Sequence, residues 1–162
     1  MDEASKKTLL RTVPYGLYAA TTLKEGGDHH VFILSWFTQT SFDPPLVACG
    51  VHKEGNAYQA LHGEPGKPLT VNLLAEDQKD LAGEILKKPS FEADTVAGAP
   101  YEVGKNGCAA LPETLGALEL ETVEEAGLDG DHAVFICRVT EARTFREGAP
   151  LTHANTGWHY GG

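Results

Sequence analysis

The sequence has few basic residues. Only 13 of its 162 residues are Lys or Arg, against 23 Asp or Glu, which gives a formal net charge of −10 at pH 7. No long basic run interrupts this acidic background. Because nucleic acids and anionic membranes attract basic surfaces, we expect neither as a general partner.

Long apolar runs are also missing. Residues 1–7 are mostly polar or charged and lead into no apolar segment like that of a signal peptide, and no run is long enough to span a bilayer. We therefore expect a soluble cytoplasmic protein with one domain over residues 1–162, a length that can bury a substantial core.

Several motifs that announce a function are absent as well. The three cysteines form no CxxC pair, and the seven histidines show neither HxH nor HExxH spacing, so we expect no disulfide framework and no metal. There is no GxGxxG, no GxxxxGK[ST] and no GxSxG. Cys49 and Cys137 stand in apolar, strand-like runs and are interpreted as small core residues.

Strand patterns dominate what is present. Apolar and β-branched runs separated by turn residues predict six or seven strands, without the regular strand–helix alternation of a parallel sheet. Helix formers predict two or three helices, at 2–12, 58–61 and 76–88. In the last of these, the spacing of Leu81, Ile85 and Leu86 predicts that they share one face. Segment 90–107 contains several Gly and Pro residues and is expected to be a surface loop. The pattern predicts a mainly β, antiparallel barrel with peripheral α-helices. The main predicted strands are 16–23, 30–37, 46–51, 69–74, 115–125 and 132–139.

Two of these strands have unusual polarity. Strand 115–125 alternates apolar and acidic residues, which predicts an exposed edge strand. Strand 30–37 is the expected return of a hairpin, and the chain turns polar from Ser35 to Ser41 before reaching Pro44-Pro45, which cannot continue a sheet interior. A polar strand end of this kind is a good place for a ligand.

Three further motifs accompany this polar strand end. They are Val71-Asn72-Leu73-Leu74 followed by Gln78 and Leu81-Ala82, the turn Gly130-Asp131-His132, and a late aromatic near Tyr160. Together with Ser41-Phe42-Asp43-Pro44-Pro45-Leu46-Val47, this order of motifs resembles the flavin reductase-like proteins, which have an FMN-binding split barrel. The resemblance runs from about residue 16 to residue 160 and implies an antiparallel split β-barrel of the Greek-key type.

The resemblance also implies a homodimer that binds FMN at the subunit interface. The flavin ring would lie against the strand before Pro44-Pro45. The residues that would line it are Ser35, Trp36, Thr38, Gln39, Thr40 and Ser41. Such residues suit a slot that needs a few placed donors and acceptors. The alternative is an ordinary exposed strand face, where Ser and Thr are common.

The FMN phosphate is met in the resembling family by a basic residue followed by Ser and Thr. Lys53 retains the charge here, but the hydroxyls are missing. Asn56 and the backbone N–H groups of the following short helix would supply directed bonds. Two alternatives are that Lys87 or Lys88 shares this work and that Lys53 is an ordinary surface lysine.

Four other residues have both a functional and a structural interpretation. The resemblance places His132 near the flavin and the nicotinamide, where it would be catalytic, although it could instead cap the Gly130-Asp131 turn. Asn72 would contact the flavin or the interface, or make a hydrogen bond at a strand end. Trp158 and Tyr160 would stack over the ring or anchor the C-terminal tail.

The implied function is NAD(P)H-dependent reduction of FMN, in which NADH or NADPH passes a hydride to flavin N5. A partner oxygenase or another electron acceptor would then use the reduced flavin. The cofactor carries this chemistry and the protein mainly positions it. Two alternatives stay open, namely a protein that holds FMN tightly for electron transfer or storage without a nicotinamide site, and a related barrel that binds haem or no cofactor.

Overall fold

The structure is a computed structural model that describes residues 1–127 and 129–161. The helices are α1 (Glu3–Thr12), α2 (Asn56–Leu61), α3 (Lys79–Lys87) and α4 (His153–Thr156), with a 3-10 helix at Glu76–Gln78. The long strands are β1 (Tyr18–Leu23), β2 (His29–Leu34), β3 (Trp36–Ser41), β4 (Leu46–His52), β5 (Pro68–Leu73), β10 (Gly116–Ala126) and β11 (His132–Thr144). The short strands are β6 (Thr95–Val96), β7 (Ala99–Pro100), β8 (Glu102–Val103) and β9 (Ala109–Ala110).

The seven long strands form one antiparallel sheet in the order β2-β1-β5-β10-β11-β4-β3. β2 and β3 lie at opposite ends of this order, although only Ser35 separates them in the chain. The sheet must therefore curl until its two ends meet at this residue. The prediction of a mainly β, antiparallel split barrel is confirmed, with four α-helices among the described residues where two or three were expected.

The polar segment after Ser35 is a strand of its own. β2 pairs with β1, with Leu34 opposite Tyr18, whereas β3 pairs with β4, with Trp36 opposite Gly50. The prediction of a single strand over 30–37 is therefore wrong. Ser35 is the point at which the chain changes its partner strand, and no turn residue marks that change.

β10 lies between β5 and β11, so the prediction of an edge strand at 115–125 is also wrong. Its Glu119 is only 1% exposed. The carboxylate accepts a hydrogen bond from the backbone N–H of Asn106 at 2.9 Å and lies 3.4 Å from Nη2 of Arg143 on β11. A buried carboxylate is tolerated when it is paired and hydrogen-bonded in this way.

Two apolar clusters form the core. One fills the barrel around Phe135, Leu69 and Leu120, and the other packs α3 and the tail against the sheet around Leu17 and Ile85. The inward residues of β4 and β11 include Cys49 and Cys137, which are fully buried, as predicted. Burial raises the pKa of Cys108, the third buried thiol, to about 12. The Cys108 thiol is therefore a poor nucleophile.

Two details of the helical and loop regions differ from expectation. Segment 90–107 is not only a loop, because it contains the hairpin of β6 and β7 and the strand β8, which pairs with β9. Leu86 was expected on the buried face of α3 with Leu81 and Ile85, but it is 57% exposed. None of the helices in the described residues is long and apolar enough to cross a membrane.

Candidate functional site

Two pockets adjoin where β2 passes into β3. The first has a volume of about 220 Å³ and the second about 370 Å³. Ile33, Ser35 and Tyr160 line both, and we call these three residues the shared wall. The first pocket is otherwise lined mainly by residues of β2, β4 and the start of α2, including Phe32, Gly50, His52, Asn56 and Ala57. The second is otherwise lined by Leu17, Leu86, His153, Trp158 and His159.

A cluster of rings stands beside the shared wall. The strand register places Trp36 opposite Gly50 and His52 opposite His132, so that three neighbouring strands contribute one ring each. The centroid of the His132 ring is 4.3 Å from that of Trp36 and 4.8 Å from that of His52. A Cβ atom at Gly50 would come within 2.8 Å of the Trp36 ring, so this close packing requires glycine.

Trp36 also leaves a hydrogen-bond donor unused. Its Nε1 atom is buried and has no hydrogen-bond partner among the described residues. An unpaired buried N–H is costly, and a carbonyl oxygen of a ligand would satisfy it. The ring of Tyr160 lies 5.4 Å from the Trp36 ring, so the tail forms part of the cover over this indole.

Asp131, His132 and Tyr160 form a hydrogen-bonded chain that ends at the shared wall. Nδ1 of His132 lies 2.8 Å from Oδ1 of Asp131, and its Nε2 lies 2.6 Å from the Tyr160 hydroxyl. The hydrogen bond with His132 holds the pKa of Asp131 below its usual value. Burial, followed by the negative charge of Asp131, raises the pKa of Tyr160. His132 thus reaches the pockets through a protonated phenol.

Ser35, His153 and the Trp158 carbonyl form a second chain on the other side of the same wall. His153 opens α4, whose N-cap is Thr152. Its Nε2 lies 3.1 Å from the Ser35 hydroxyl, and its Nδ1 lies 3.0 Å from the Trp158 carbonyl oxygen. Ser35 is only 7% exposed, so the hydroxyl is fixed in place.

The predicted residues of β3 divide into two groups. Ser35 and Trp36 belong to the shared wall and the ring cluster, respectively. Thr38, Gln39 and Thr40 are exposed and do not line either pocket, and Ser41 is partly exposed. These four stay predictions for a ligand or partner that extends along the outside of the strand.

The predicted phosphate residues lie where β4 leads into α2. Asn56 lines this pocket at the start of α2. Lys53 is half-buried in the turn between β4 and α2, and its backbone N–H donates to the Asp131 carbonyl at 2.9 Å. The alternative lysines, Lys87 and Lys88, are at the end of α3, where Lys87 pairs with Glu84 at 2.9 Å. Lys53 therefore stays the predicted phosphate residue, with Lys87 and Lys88 as the alternatives.

Asn72 lies away from the pockets and is fully buried. Its Nδ2 donates to the Ala19 carbonyl at 2.9 Å and to the Ala109 carbonyl at 3.4 Å, and its Oδ1 accepts from the Leu111 backbone N–H at 2.8 Å. Every polar atom of the side chain is therefore engaged with the backbone. These hydrogen bonds favour the structural interpretation of Asn72, and the expected flavin or interface contact stays an untested prediction.

Trp158 anchors the C-terminal tail, which is one of its two expected roles, and stacking over the flavin ring stays a prediction. It packs against the second apolar cluster, and the ammonium of Lys79 lies 5.6 Å from its ring centroid, so it anchors the tail on α3. It also forms part of the second pocket. Three residues of the site were missed in the sequence, namely His52, Asp131 as a hydrogen-bond partner, and His153. Of these three, only Asp131 could have been found in the sequence, because it is adjacent to His132 in the Gly130-Asp131-His132 motif.

A family model described as "Flavin reductase like domain" matches residues 10–162. The high molecular weight rubredoxin of Moorella thermoacetica is 30% identical over 146 residues, which cover 90% of this chain and 62% of that protein. The chain therefore spans less than two thirds of that relative. A flavin reductase of Pseudomonas putida is 26% identical over 158 residues, covering 96% of this chain and 87% of that one.

Solved structures share the fold. The NADH:FAD oxidoreductase of Streptomyces globisporus, in complex with NAD and FAD fragments, aligns with a TM-score of 0.78 at 21% identity. The alignment covers 96% of this chain and 92% of that chain. At this level of identity the likeness supports the architecture, and the activity has to be argued from the site.

Proposed function

The chain belongs to the flavin reductase-like family, and from that premise we propose that it binds FMN and reduces it with a hydride from NADH or NADPH. The observation that carries this proposal is the pair of pockets that meet at Ser35 and Tyr160. Hydride transfer needs two flat ligands in contact, and adjoining pockets with one common wall provide for that contact.

The first pocket suits the flavin. Gly50, Val51 and Phe32 provide an apolar surface, and a smaller number of polar groups accompany it, as is usual for small-molecule sites. Lys53 and Asn56 would hold the phosphate at one end. The unpaired indole N–H of Trp36 would offer a donor to a ring carbonyl near the other end.

The second pocket suits the nicotinamide. It is the larger of the two, and Leu17, Leu86 and Trp158 give it mainly apolar walls. A bound flavin supplies the redox chemistry, since it accepts a hydride at N5 and later passes the electrons on. The residues of this chain orient the two ligands. His132 acts on them through Tyr160 and is a positioning residue in this proposal.

The test is a spectroscopic titration of the purified protein with FMN and FAD, followed by anaerobic addition of NADH and NADPH. We expect FMN to bind and its long-wavelength absorbance to disappear with at least one of the two nicotinamides. Bound flavin that stays oxidised for minutes under an excess of both would favour the electron-transfer alternative. A failure to bind any flavin would contradict both functions.

A second copy of the chain would cover an apolar face beside the ring cluster. The side chains of β4 and β11 alternate between buried and outward positions, and the outward ones pair Leu46 with Arg138, Ala48 with Ile136 and Gly50 with Val134. Trp36 and His132 lie at the border of this face. A homodimer through this face would therefore place a second subunit against the site.

Ile136→Arg is expected to prevent this dimer, because it introduces a charge into the apolar face. Sedimentation should then give a mass near 17.3 kDa for the variant and near twice that value for the wild type. Val103→Arg is the matched control, since Val103 is 60% exposed on β8 and away from this face. A wild-type monomer that binds flavin would contradict the dimer.

Reduced flavin must finally pass its electrons to an acceptor. We propose a partner oxygenase or another electron acceptor in this role. Because the two pockets are open to solvent, reduced FMN could leave the protein or react in place. Addition of an acceptor after anaerobic reduction, with and without a membrane that retains the protein, would distinguish the two routes.

A further inference from the structure

Both hydroxyl groups of the shared wall have a histidine nitrogen at hydrogen-bond distance. The Ser35 hydroxyl lies against His153, and the Tyr160 hydroxyl lies against His132. We propose that this arrangement leaves the Ser35 and Tyr160 oxygens able only to accept hydrogen bonds from a ligand. The wall would then bind a reduced flavin ring, which carries N–H at its reacting nitrogen, more tightly than an oxidised one. The inference rests on the proposed function and assigns His153 as a positioning residue.

The Ser35 side of the wall follows from the partners of His153. The Trp158 carbonyl oxygen, 3.0 Å from Nδ1, can only accept a hydrogen bond, so Nδ1 carries the proton. In a neutral imidazole Nε2 is then an acceptor, and the Ser35 hydroxyl 3.1 Å away donates to it. The oxygen of Ser35 retains only lone pairs for a ligand.

The direction of the Tyr160 hydrogen bond follows in the same way from the partners of His132. Oδ1 of Asp131, 2.8 Å from Nδ1 of His132, is a carboxylate oxygen and fixes the proton on Nδ1. In the imidazole form with its proton on Nδ1, Nε2 of His132 accepts from the Tyr160 hydroxyl, 2.6 Å away. Tyr160 retains its phenolic proton, because burial and the Asp131 charge raise its pKa. Its oxygen, too, can only accept from a ligand.

The location of the wall decides which ligand atom it meets. The nitrogen that receives the hydride must lie where the two pockets join, and that junction is Ser35 and Tyr160. Hydride transfer breaks the C4–H bond of the nicotinamide and forms an N–H bond on the flavin, moving two electrons with the hydrogen. Before transfer this nitrogen has a lone pair that acceptor oxygens repel, and after transfer it has an N–H that they bind.

The experiment measures flavin affinity in both redox states. Dissociation constants for oxidised FMN and midpoint potentials are determined for the wild type, Ser35→Ala, Tyr160→Phe and the double variant. For the double variant we expect the preference for reduced over oxidised FMN to fall about tenfold, which corresponds to a midpoint potential about 30 mV lower. Ser90→Ala and Tyr101→Phe remove the same groups away from the wall and should leave the potential unchanged.

His153→Phe tests whether His153 orients the Ser35 hydroxyl or only supports the fold. It frees the Ser35 hydroxyl to donate to oxidised flavin, so the potential should fall although both wall oxygens are present. Nitrogen-15 NMR of the flavin-free protein is the second readout and should find the proton of His132 and His153 on Nδ1. A proton on Nε2 in either ring would overturn the inference.

The outcomes distinguish this inference from the proposed function. If the wild type binds and reduces flavin but the wall variants weaken both redox states equally, the wall is not selective and only the inference is wrong. If the wild type binds no flavin, both are wrong. A lower potential in the wall variants, together with unchanged controls, would support both.

Discussion

Asn72→Ala is expected to lower the free energy of unfolding by about 3 kcal/mol, because it leaves two buried backbone groups without partners. The Leu111 N–H loses its acceptor at 2.8 Å, and the Ala19 carbonyl loses a donor at 2.9 Å. Asn72 is fully buried and no water can replace these bonds without entering the core. Urea unfolding followed by circular dichroism measures the change.

Asn56→Ala is the matched control for this variant. Asn56 has the same side chain but is exposed and lines the first pocket, so its loss should barely change stability and should weaken FMN instead. We thus expect Asn72→Ala to lower stability and Asn56→Ala to lower FMN affinity. If Asn72→Ala unfolds like the wild type and loses flavin selectively, the structural assignment of Asn72 is wrong.

Lys53→Ala is expected to weaken FMN by about 1.5–3 kcal/mol, or about 10- to 150-fold, because a charged hydrogen bond to the phosphate is lost. Riboflavin, which has no phosphate, should bind the variant nearly as well as it binds the wild type. Fluorescence titration with both ligands measures the two affinities. Because the Ser and Thr hydroxyls are missing from this turn, we expect Lys53 and Asn56 to contribute more of the phosphate binding than they would beside such hydroxyls.

Lys88→Ala is the control for Lys53→Ala, since both changes remove one positive charge. Lys88 is the exposed residue that follows α3 and should not affect either ligand. Equal losses of FMN and riboflavin in Lys53→Ala would contradict the phosphate assignment. A loss of FMN in Lys88→Ala would move part of the phosphate site to the end of α3.

The strands could be predicted because their side chains alternate, but the change of partner at Ser35 could not. β2 and β3 follow each other with no Gly, Pro or Asn between them, so the local pattern is that of one strand. What separates them is the closure of the sheet, in which Leu34 faces Tyr18 and Trp36 faces Gly50. These pairings depend on long-range register and have no local signal.

The position of β10 could not be predicted for a related reason. Acidic residues at alternate positions usually indicate an exposed strand. Glu119 departs from this pattern because the Asn106 N–H, which donates to Oε2, and the Arg143 guanidinium, which lies near Oε1, accompany its carboxylate into the interior. Charge alternation alone does not reveal such partners.

The site was predicted where one strand carries it and missed where distant segments meet. Ser35 and Trp36 follow from the polar strand, and His132 and Tyr160 follow from motifs of the family. His153 has no such motif, because it becomes important only when α4 brings it within 3.1 Å of Ser35. The shared wall is therefore a product of tertiary packing.

The most direct test of the central claim, direct hydride transfer at a built site, is the fate of deuterium placed stereospecifically at the nicotinamide C4. NADH or NADPH labelled on one face or the other is oxidised anaerobically by the FMN-loaded protein, and the mass of the oxidised nicotinamide is measured. We predict that one label is lost completely and the other fully retained, because the two pockets fix which face of the nicotinamide meets the flavin. Loss of deuterium from both positions, or no oxidation of either nicotinamide, would contradict the account.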